Sequence, residues 1–225
     1  MVPILYEDKD IIVVHKPAGL ESQSSRGFAP DMVSEISCYL HNPQDIHKPA
    51  AGISRVQPPY VGVIHRLDKP VQGVMVYAKN QKSAAALSAA LQAGKMEKSY
   101  MAVICGQLVD KQGSYVDYLR QDRKNNTSEI VDKSVKDAKK AVLKYREMEV
   151  IHSPEDKEQM VSLIDIELLT GRHHQIRVQF AGHGTPLYGD GRYGGDISTI
   201  VDIKKKPAAR GPLALCAYHL AFPHP

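Results

Sequence analysis

The feature that most constrains the fold of this chain is a series of short β-rich segments without regularly spaced helices between them. Residues 11–14 and 100–105 combine β-branched, aromatic and other apolar side chains over the length of one strand. The few helical patterns do not alternate with these segments, as they would in a parallel α/β sheet. The sequence therefore predicts an α+β fold, in which a mixed, largely antiparallel sheet is flanked by a few helices.

Turn and capping residues divide the chain into predicted elements. Residues 4–6 and 11–14 are predicted to form a hairpin, and Asn80 is predicted to cap a helix that ends at Gly94. The other predicted elements are helices at residues 32–40 and 172–181, the second capped by Thr170, and strands at residues 73–78, 100–105, 142–151, 161–169 and 213–222. Two further segments are predicted to be an exposed connection and a flexible polar loop, residues 43–59 and 120–140 respectively.

Composition and charge limit the classes of protein to consider. With 225 residues, 43% of them hydrophobic and 24% charged, the chain suits one large globular domain or two small ones. Three widely spaced cysteines predict a reduced, cytoplasmic location without a disulfide framework or a Cys-x-x-Cys metal site. No segment resembles a signal peptide or a transmembrane span. The net charge of +4 permits binding to RNA without requiring it, and the basic clusters at residues 120–124, 136–140 and 204–206 also fit a solvated surface.

The strongest chemical signal is a group of ionisable side chains between two predicted buried strands. His65, Arg66, Asp68 and Lys69 lie within residues 63–73, which otherwise are largely apolar. Because an unpaired charge is costly near a dry core, Asp68 is expected to be paired, and a carboxylate in such a setting is a candidate functional group. Spacing alone favours a simpler alternative, a strand–turn–strand connection with an ordinary Arg–Asp pair.

A second signal lies in residues 169–178, which contain Gly171-Arg172-His173-His174-Gln175-Ile176-Arg177. In a helix, His173, Arg177 and Phe180 share one face, and Ile176 and Phe180 attach the helix to the core. Arg177 would then project towards a carboxylate. The alternative is an amphipathic helix with Arg177 in solvent.

A third signal is Tyr100, which begins an apolar strand after Lys98 and Ser99. A lone tyrosine in this position is more often a core aromatic whose hydroxyl finds a hydrogen-bond partner. The alternative is that a nucleic-acid base stacks on its ring.

Taken in order, these segments resemble the RluA-like family of pseudouridine synthases, and the resemblance covers nearly the whole chain. The motifs that carry it are Lys16-Pro17-Ala18-Gly19, His65-Arg66-Leu67-Asp68, Lys98-x-Tyr100-x-Ala102, Gly171-Arg172-x-His174-Gln175-Ile176-Arg177, Gly189-Asp190-x-x-Tyr193-Gly194 and Leu215-x-Ala217. The sequence departs from the family pattern at Val71-Gln72, where Thr-Ser is usual, and at Gln179 and Cys216, where His is common. The resemblance implies a pseudouridine synthase fold with a central catalytic cleft, formed by residues 1–225 as a single catalytic domain without an S4 RNA-binding domain.

The family resemblance also implies a reaction and a set of residues. The enzyme would flip specific uridines out of ribosomal or transfer RNA, break the glycosidic bond and rejoin C5 to C1′, with no metal or other cofactor. Asp68 would be the essential carboxylate, either as nucleophile or as base, Arg177 would pair with it, and Tyr100 would stack on the uracil. The substrate-binding residues implied are His65, Arg66, Leu67, Arg172, His174, Gln175 and Ile176. The expected partner is RNA, with no membrane association, and the expected state is a monomer.

Two alternatives from other classes were weighed against this hypothesis. A glycoside hydrolase needs a second carboxylate beside the bond it cleaves, and Glu97 and Asp190 are unconvincing for that role. An RNA-binding protein with the same fold and no turnover is the more serious alternative. Suitable residues at Arg66, Asp68, Tyr100 and Arg177 argue against it.

Overall fold

The computed structural model describes residues 2–24, 29–41, 58–153, 157–194 and 212–225, which belong to two compact units. The first unit spans Met1–Met96 and Leu220–Pro225, and the second spans Glu97–His219. The described residues form ten strands and three helices, and seven of the strand pairs are antiparallel. The predicted α+β class is therefore confirmed, while the prediction of a single catalytic domain stays a prediction. None of the helices seen in the described ranges is long and apolar enough to cross a membrane.

The first unit is a small sheet with two helices. Its elements are β1 (Ile4–Glu7), β2 (Ile11–Lys16), α1 (Met32–Leu40), β3 (Gly62–Val63), β4 (Gln72–Ala78) and α2 (Gln81–Gln92). Strand β2 pairs antiparallel with both β1 and β4, and β3 pairs with β4. The predicted hairpin, the helix at residues 32–40 and the strand at residues 73–78 are confirmed. A core cluster of buried side chains joins strands and helix, and its members are Ile11, Ile64, Val76, Ala78, Leu87 and Met96.

Side-chain caps explain where the helices of the first unit begin. The Asp31 carboxylate accepts a hydrogen bond from the Ser34 N–H at 2.7 Å, and the Ser34 hydroxyl oxygen accepts one from the Asp31 N–H. Asn80 caps α2 as predicted, because its Oδ1 accepts the N–H of Ser83 at 2.9 Å. Gly94 follows α2 with a φ of +68°, a left-handed conformation that favours glycine.

The second unit is a larger antiparallel sheet with one helix. Its elements are β5 (Glu97–Cys105), β6 (Gln112–Asp122), β7 (Thr127–Val131), β8 (Lys139–His152), β9 (Met160–Leu168), α3 (Gln175–Gly182) and β10 (Leu215–Ala221). The strands lie in the order β10-β5-β9-β8-β6-β7. Predicted strands at residues 100–105, 142–151, 161–169 and 213–222 are confirmed, with shifts of a few residues at their ends.

The prediction of a flexible loop at residues 120–140 is wrong. Strand β6 continues to Asp122 and forms a hairpin with β7, and β8 begins at Lys139. The Asp122 carboxylate accepts the N–H groups of Lys124 and Asn125 at 2.9 and 3.2 Å, and Asn126 has a φ of 53°. Polar residues in this segment therefore form an ordered turn and exposed strand faces.

The predicted start of the last helix is also wrong. Helix α3 begins at Gln175 because His174 adopts a left-handed φ of 54°, which cannot continue into a preceding helical turn. Thr170 does not cap this helix; its hydroxyl donates to Gln175 Oε1 at 2.8 Å. The helix ends at Gly182, one residue beyond the predicted end. The predicted connection at residues 43–59 lies outside the described residues except for its last two positions, and residues 204–206 also lie outside them.

Candidate active site

Asp68 lies in the first unit, on the segment between β3 and β4, and the backbone of this segment is held by its neighbours. The Ser22 hydroxyl donates to the Leu67 carbonyl at 2.8 Å and accepts the Leu67 N–H at 3.0 Å. The Asp68 carbonyl accepts the N–H of Val71 at 2.9 Å, which closes a turn. Leu67 is buried, whereas Asp68 is partly buried and Arg66 is exposed. The segment thus presents two charged side chains from a fixed backbone.

Lys16, at the end of β2, is a buried cation beside this segment. Its side chain has no exposed surface, and its ammonium donates to the carbonyls of Pro17, Leu20 and Lys69 at 3.0, 2.6 and 3.2 Å. Burial lowers the pKa of Lys16 to about 8, and the negative charge of Asp68 opposes this effect. Sequence analysis quoted Lys16 in a family motif but assigned it no role.

His65 and the loop after Lys16 make further contacts around the Asp68 segment. The Nε2 atom of His65 accepts the N–H of Val76 at 3.3 Å, so the ring is a hydrogen-bond acceptor for β4. Gly19, with a φ of +88°, donates its N–H to the Lys69 carbonyl at 2.8 Å. This left-handed conformation explains a glycine at the end of the Lys16-Pro17-Ala18-Gly19 motif.

Arg177 lies on α3 in the second unit and forms a buried ion pair with Asp190. The arginine Nε donates to Asp190 Oδ2 and its Nη2 donates to Oδ1, both at 2.8 Å, and the two side chains are 6% and 0% exposed. Burial disfavours the charged carboxylate, but the bonds from Arg177 outweigh it and hold the pKa of Asp190 below its usual value. The alternative of an Arg177 side chain in solvent is therefore wrong.

Asp190 also organises the turn that follows it. Its Oδ1 accepts the N–H groups of Arg192 and Tyr193 at 2.9 and 3.2 Å. The ring of Tyr193 then lies 5.1 Å from the Arg177 guanidinium carbon, within range of a cation–π interaction. The pairing of Asp190 with Arg177 was not predicted from the sequence, where Asp190 was unconvincing as a glycosidase carboxylate. The motif Gly189-Asp190-x-x-Tyr193-Gly194 was the signal that pointed to its importance.

Two histidines connect the start of α3 with the β6–β7 hairpin. His174 Nδ1 lies 2.6 Å from the Tyr193 hydroxyl, and that hydroxyl accepts the N–H of Ser128 at 2.9 Å. His173 stacks on His174 with ring centroids 3.7 Å apart and bonds to the Ser128 hydroxyl at 2.9 Å. A left-handed non-glycine residue held by such contacts is a frequent feature of functional sites. His174 therefore joins three segments of the second unit.

Gln175 and Gln179 form a buried polar chain along α3. Gln175 Nε2 donates to Gln179 Oε1 at 2.9 Å, and Gln179 Nε2 donates to the Asp117 carboxylate at 2.7 Å. The same carboxylate lies 3.1 Å from His183 Nε2, and the His183 ring stacks on Tyr115 at 3.8 Å. Gln179, which departs from the family pattern, thus belongs to a connected network of hydrogen bonds.

The predicted site residues are divided between the two units. The first unit contains His65, Arg66, Leu67 and Asp68, and the second contains Tyr100, Arg172, His174, Gln175, Ile176 and Arg177. Tyr100 and Ile176 are buried at 7% and 4% exposure, and Arg172 is exposed with its Nε bonded to the Lys140 carbonyl at 2.9 Å. The predicted pairing of Asp68 with Arg177 stays a prediction. Within the described ranges, no group of three or more His, Cys, Asp or Glu side chains is placed to hold a metal ion.

Comparison with known proteins connects these two clusters to one family. A family model described as RNA pseudouridylate synthase matches residues 10–182. The chain is 35% identical over 229 residues to an uncharacterized RNA pseudouridine synthase of Aquifex aeolicus, covering 100% of this chain and 66% of that protein. It is 33% identical over 194 residues to the ribosomal large subunit pseudouridine synthase D of Xanthomonas campestris, covering 86% of this chain and 52% of that protein. The chain therefore spans about half to two thirds of the length of these relatives.

Solved structures share the fold at lower identity. Human RNA pseudouridylate synthase domain containing 1 superposes with a TM-score of 0.71 at 18% identity, over 100% of this chain and 79% of that one. Human RNA pseudouridylate synthase domain containing 4 gives a TM-score of 0.67 at 22% identity, over 98% and 84% of the two chains. The fold is thus that of pseudouridine synthases. With the match of the family model, the chain belongs to the RluA-like family of RNA pseudouridine synthases.

Proposed function

We propose that this protein isomerises specific uridines of RNA to pseudouridine, with Asp68 as its essential carboxylate. Family membership supports the reaction class. The observation that carries the assignment of Asp68 is its setting, because a buried ammonium at Lys16 lies near it and three hydrogen bonds with the Ser22 and Lys16 side chains hold the adjoining backbone. A nearby positive charge favours the ionised carboxylate that either role of Asp68 requires.

The proposed reaction has three stages, which are flipping of the uridine, cleavage of the glycosidic bond and formation of the C5–C1′ bond. The target uridine leaves its stack at a cost on the order of a few kcal/mol. Arg66, which is exposed beside Asp68, would occupy the vacated space or hold a phosphate. Asp68 then acts at the ribose, as nucleophile at C1′ or as base, and the C1′–N1 bond breaks. The uracil turns, C5 bonds to C1′, and the proton on C5 is lost while N1 gains one. The substrate and product are isomers, so no oxidant or water molecule is consumed.

In this proposal, the second unit supplies the residues that handle the base. Tyr100 stacks on the uracil and assists removal of the C5 proton, and Arg177 pairs with Asp68. A guanidinium has five N–H groups, and Asp190 accepts two of those of Arg177. Asp190 would therefore orient the arginine without using all of its donors.

Ribosomal RNA is the proposed substrate, with transfer RNA as the second candidate. The relatives from Xanthomonas campestris and Rickettsia bellii are named ribosomal large subunit pseudouridine synthases D and C, which favours large-subunit ribosomal RNA. The net charge of +4 supports a polyanionic partner. One activity assay tests ribosomal RNA and transfer RNA alike.

The test measures tritium release from RNA labelled at C5 of uridine, because this hydrogen is lost only when C5 bonds to C1′. Large-subunit ribosomal RNA and transfer RNA, both transcribed in vitro without modification, are incubated with wild type and with Asp68→Asn. We expect release by wild type and none above background by the variant, which should bind RNA with a similar Kd. Turnover by Asp68→Asn would remove Asp68 from its assigned role. RNA binding by wild type without release from either RNA or from total cellular RNA would favour the non-catalytic alternative.

A further inference from the structure

Lys98 occupies an unusual position on the inward face of β5. Side chains alternate along a strand, so Lys98, Tyr100 and Ala102 project to the same side. Tyr100 and Ala102 are buried at 7% and 1% exposure, whereas Lys98 is partly buried. Lys98 therefore lies at the end of the row of side chains that contains Tyr100 and Ala102, and its surface is only partly exposed to water.

Within the described ranges, no partner of Lys98 explains this position. Among the residues that the structure describes, no carboxylate and no carbonyl accepts a hydrogen bond from its ammonium, and burial alone lowers the pKa of Lys98. Other lysines behave differently: Lys144 pairs with Glu167 at 3.0 Å, and Lys16 donates to three carbonyls. A partly desolvated cation without an acceptor is costly, and a bound anion would remove that cost.

Gly171 leaves the ammonium of Lys98 accessible beside the turn that precedes α3. A Cβ atom at position 171 would lie 3.5 Å from Lys98 Nζ, so a larger side chain would cover the ammonium. The next residue, Arg172, is exposed, and its Nε bond to the Lys140 carbonyl holds it at the same turn. The Lys98 ammonium thus lies beside a position without a side chain, and an exposed arginine follows that position in the chain.

We propose that Lys98 binds a phosphate group of the RNA next to the target uridine. This inference rests on the proposed function, in which Tyr100 stacks on the uracil. Residues two apart in a strand are separated by about 7 Å, a distance comparable with that between a base and a neighbouring phosphate. Lysine is a common phosphate ligand that acts as a point charge. An internal ion pair at Lys98 would compete with the RNA, and its absence among the described residues agrees with this role.

A structural explanation predicts a different outcome. A lysine at the end of an apolar face can bury its aliphatic stem and extend its charge into water without binding any ligand. Methionine at position 98 would preserve that packing, whereas it would abolish a phosphate contact. Comparing Lys98→Met with wild type therefore distinguishes a role of the positive charge from a role of the aliphatic stem.

The experiment compares Lys98→Met, Lys98→Gln and Lys98→Arg with the matched control Lys111→Met, which removes an exposed charge immediately before β6 in the same unit. The Kd for unmodified large-subunit ribosomal RNA is measured at salt concentrations from about 50 to about 300 mM. Tritium release is measured at saturating RNA. Each neutral variant should raise the Kd roughly threefold to tenfold and reduce the slope of log Kd against log salt by about 0.7 to 0.9. Lys98→Arg and Lys111→Met should retain the wild-type slope.

The outcomes separate this inference from the proposed function. An unchanged Kd and salt slope in both neutral variants, with circular dichroism that shows a folded protein, would overturn the phosphate contact. If Lys98→Met fails to fold, Lys98→Gln provides the same comparison, and Lys98→Arg gives a charged reference. A wild type that never releases tritium would defeat the proposed function, yet the difference in salt slope between wild type and the neutral Lys98 variants would still decide whether Lys98 contacts phosphate.

Discussion

The two units of this protein place a buried cation in different surroundings. In the first, the hydrogen-bond acceptors of Lys16 are three neutral carbonyls, and burial lowers the pKa of Lys16 to about 8. In the second, Arg177 contacts the carboxylate of Asp190 and the ring of Tyr193. A guanidinium stays charged at any accessible pH, whereas a buried ammonium can lose its proton. The first unit therefore contains a cation whose pKa is lowered by burial, and the second contains a cation that keeps its charge beside a carboxylate.

The largest loss of stability is expected when one partner of the Arg177–Asp190 ion pair is replaced. Asp190→Asn leaves the Arg177 guanidinium buried without its counter-charge, so the free energy of unfolding should fall by about 3–5 kcal/mol. Urea unfolding followed by circular dichroism measures this loss. Asp110→Asn, which removes an exposed carboxylate from the same unit, is the matched control and should change stability little.

A double substitution sharpens the same prediction. Replacing both partners, with Arg177→Met and Asp190→Asn, removes the buried charges together, while the amide oxygen at position 190 can still accept the N–H groups of Arg192 and Tyr193. This double variant should cost less stability than Asp190→Asn alone. A loss in the double variant that equals the sum expected from two independent sites would contradict the pairing. Activity should be lost in either case, since Arg177 belongs to the proposed active site.

The next effect concerns pH and belongs to Lys16. The folded protein releases this proton near pH 8 and the unfolded chain near its ordinary value of 10.5, so between these values the unfolded chain binds more protons. Stability from this group should therefore rise with pH, by about 3 kcal/mol across the interval. Below pH 8 the folded protein carries the full free-energy cost of burying the charged Lys16 side chain, and this cost disappears as the pH rises towards 10.5.

The measurement for Lys16 is the difference in free energy of unfolding between wild type and Lys16→Met at several pH values from 7 to about 10. Tyrosine titration contributes equally to both proteins and cancels in this difference. The wild type should gain stability relative to the variant as pH rises. Parallel pH profiles for the two proteins would show that Lys16 keeps its proton throughout and would remove the contrast with Arg177.

The smallest effect concerns how the helices begin. Helix α2 has a side-chain cap from Asn80, whereas α3 begins after left-handed His174 without one. Asn80→Ala should lower the free energy of unfolding by about 1 kcal/mol, because the Ser83 N–H loses its acceptor. Gln81→Ala, an exposed change one residue further on, is the control for helix propensity. Equal stability of Asn80→Ala and Gln81→Ala would argue that the cap contributes little.

Local patterns were sufficient for much of the first unit. The hairpin, the helix at residues 32–40 and the Asn80 cap depend on residues that are neighbours in the chain, and the structure confirms them. In the second unit, polar composition predicted a loop at residues 120–140, where β6 and β7 form a hairpin. Strand pairing with β8 stabilises this polar segment, and such pairing depends on partners elsewhere in the sequence.

In the amino-acid sequence, the pattern of β-rich segments was enough to indicate the α+β class, and the ordered motifs indicated the family and the candidate residues Asp68, Tyr100 and Arg177. They did not reveal that Asp190 pairs with Arg177 or that Lys16 is buried against the carbonyl of Lys69, 53 positions away. Composition specifies which side chains can carry charge. The energetic cost of each charge depends on burial and on the partners that folding brings within hydrogen-bond distance, and these arise from contacts between distant parts of the chain.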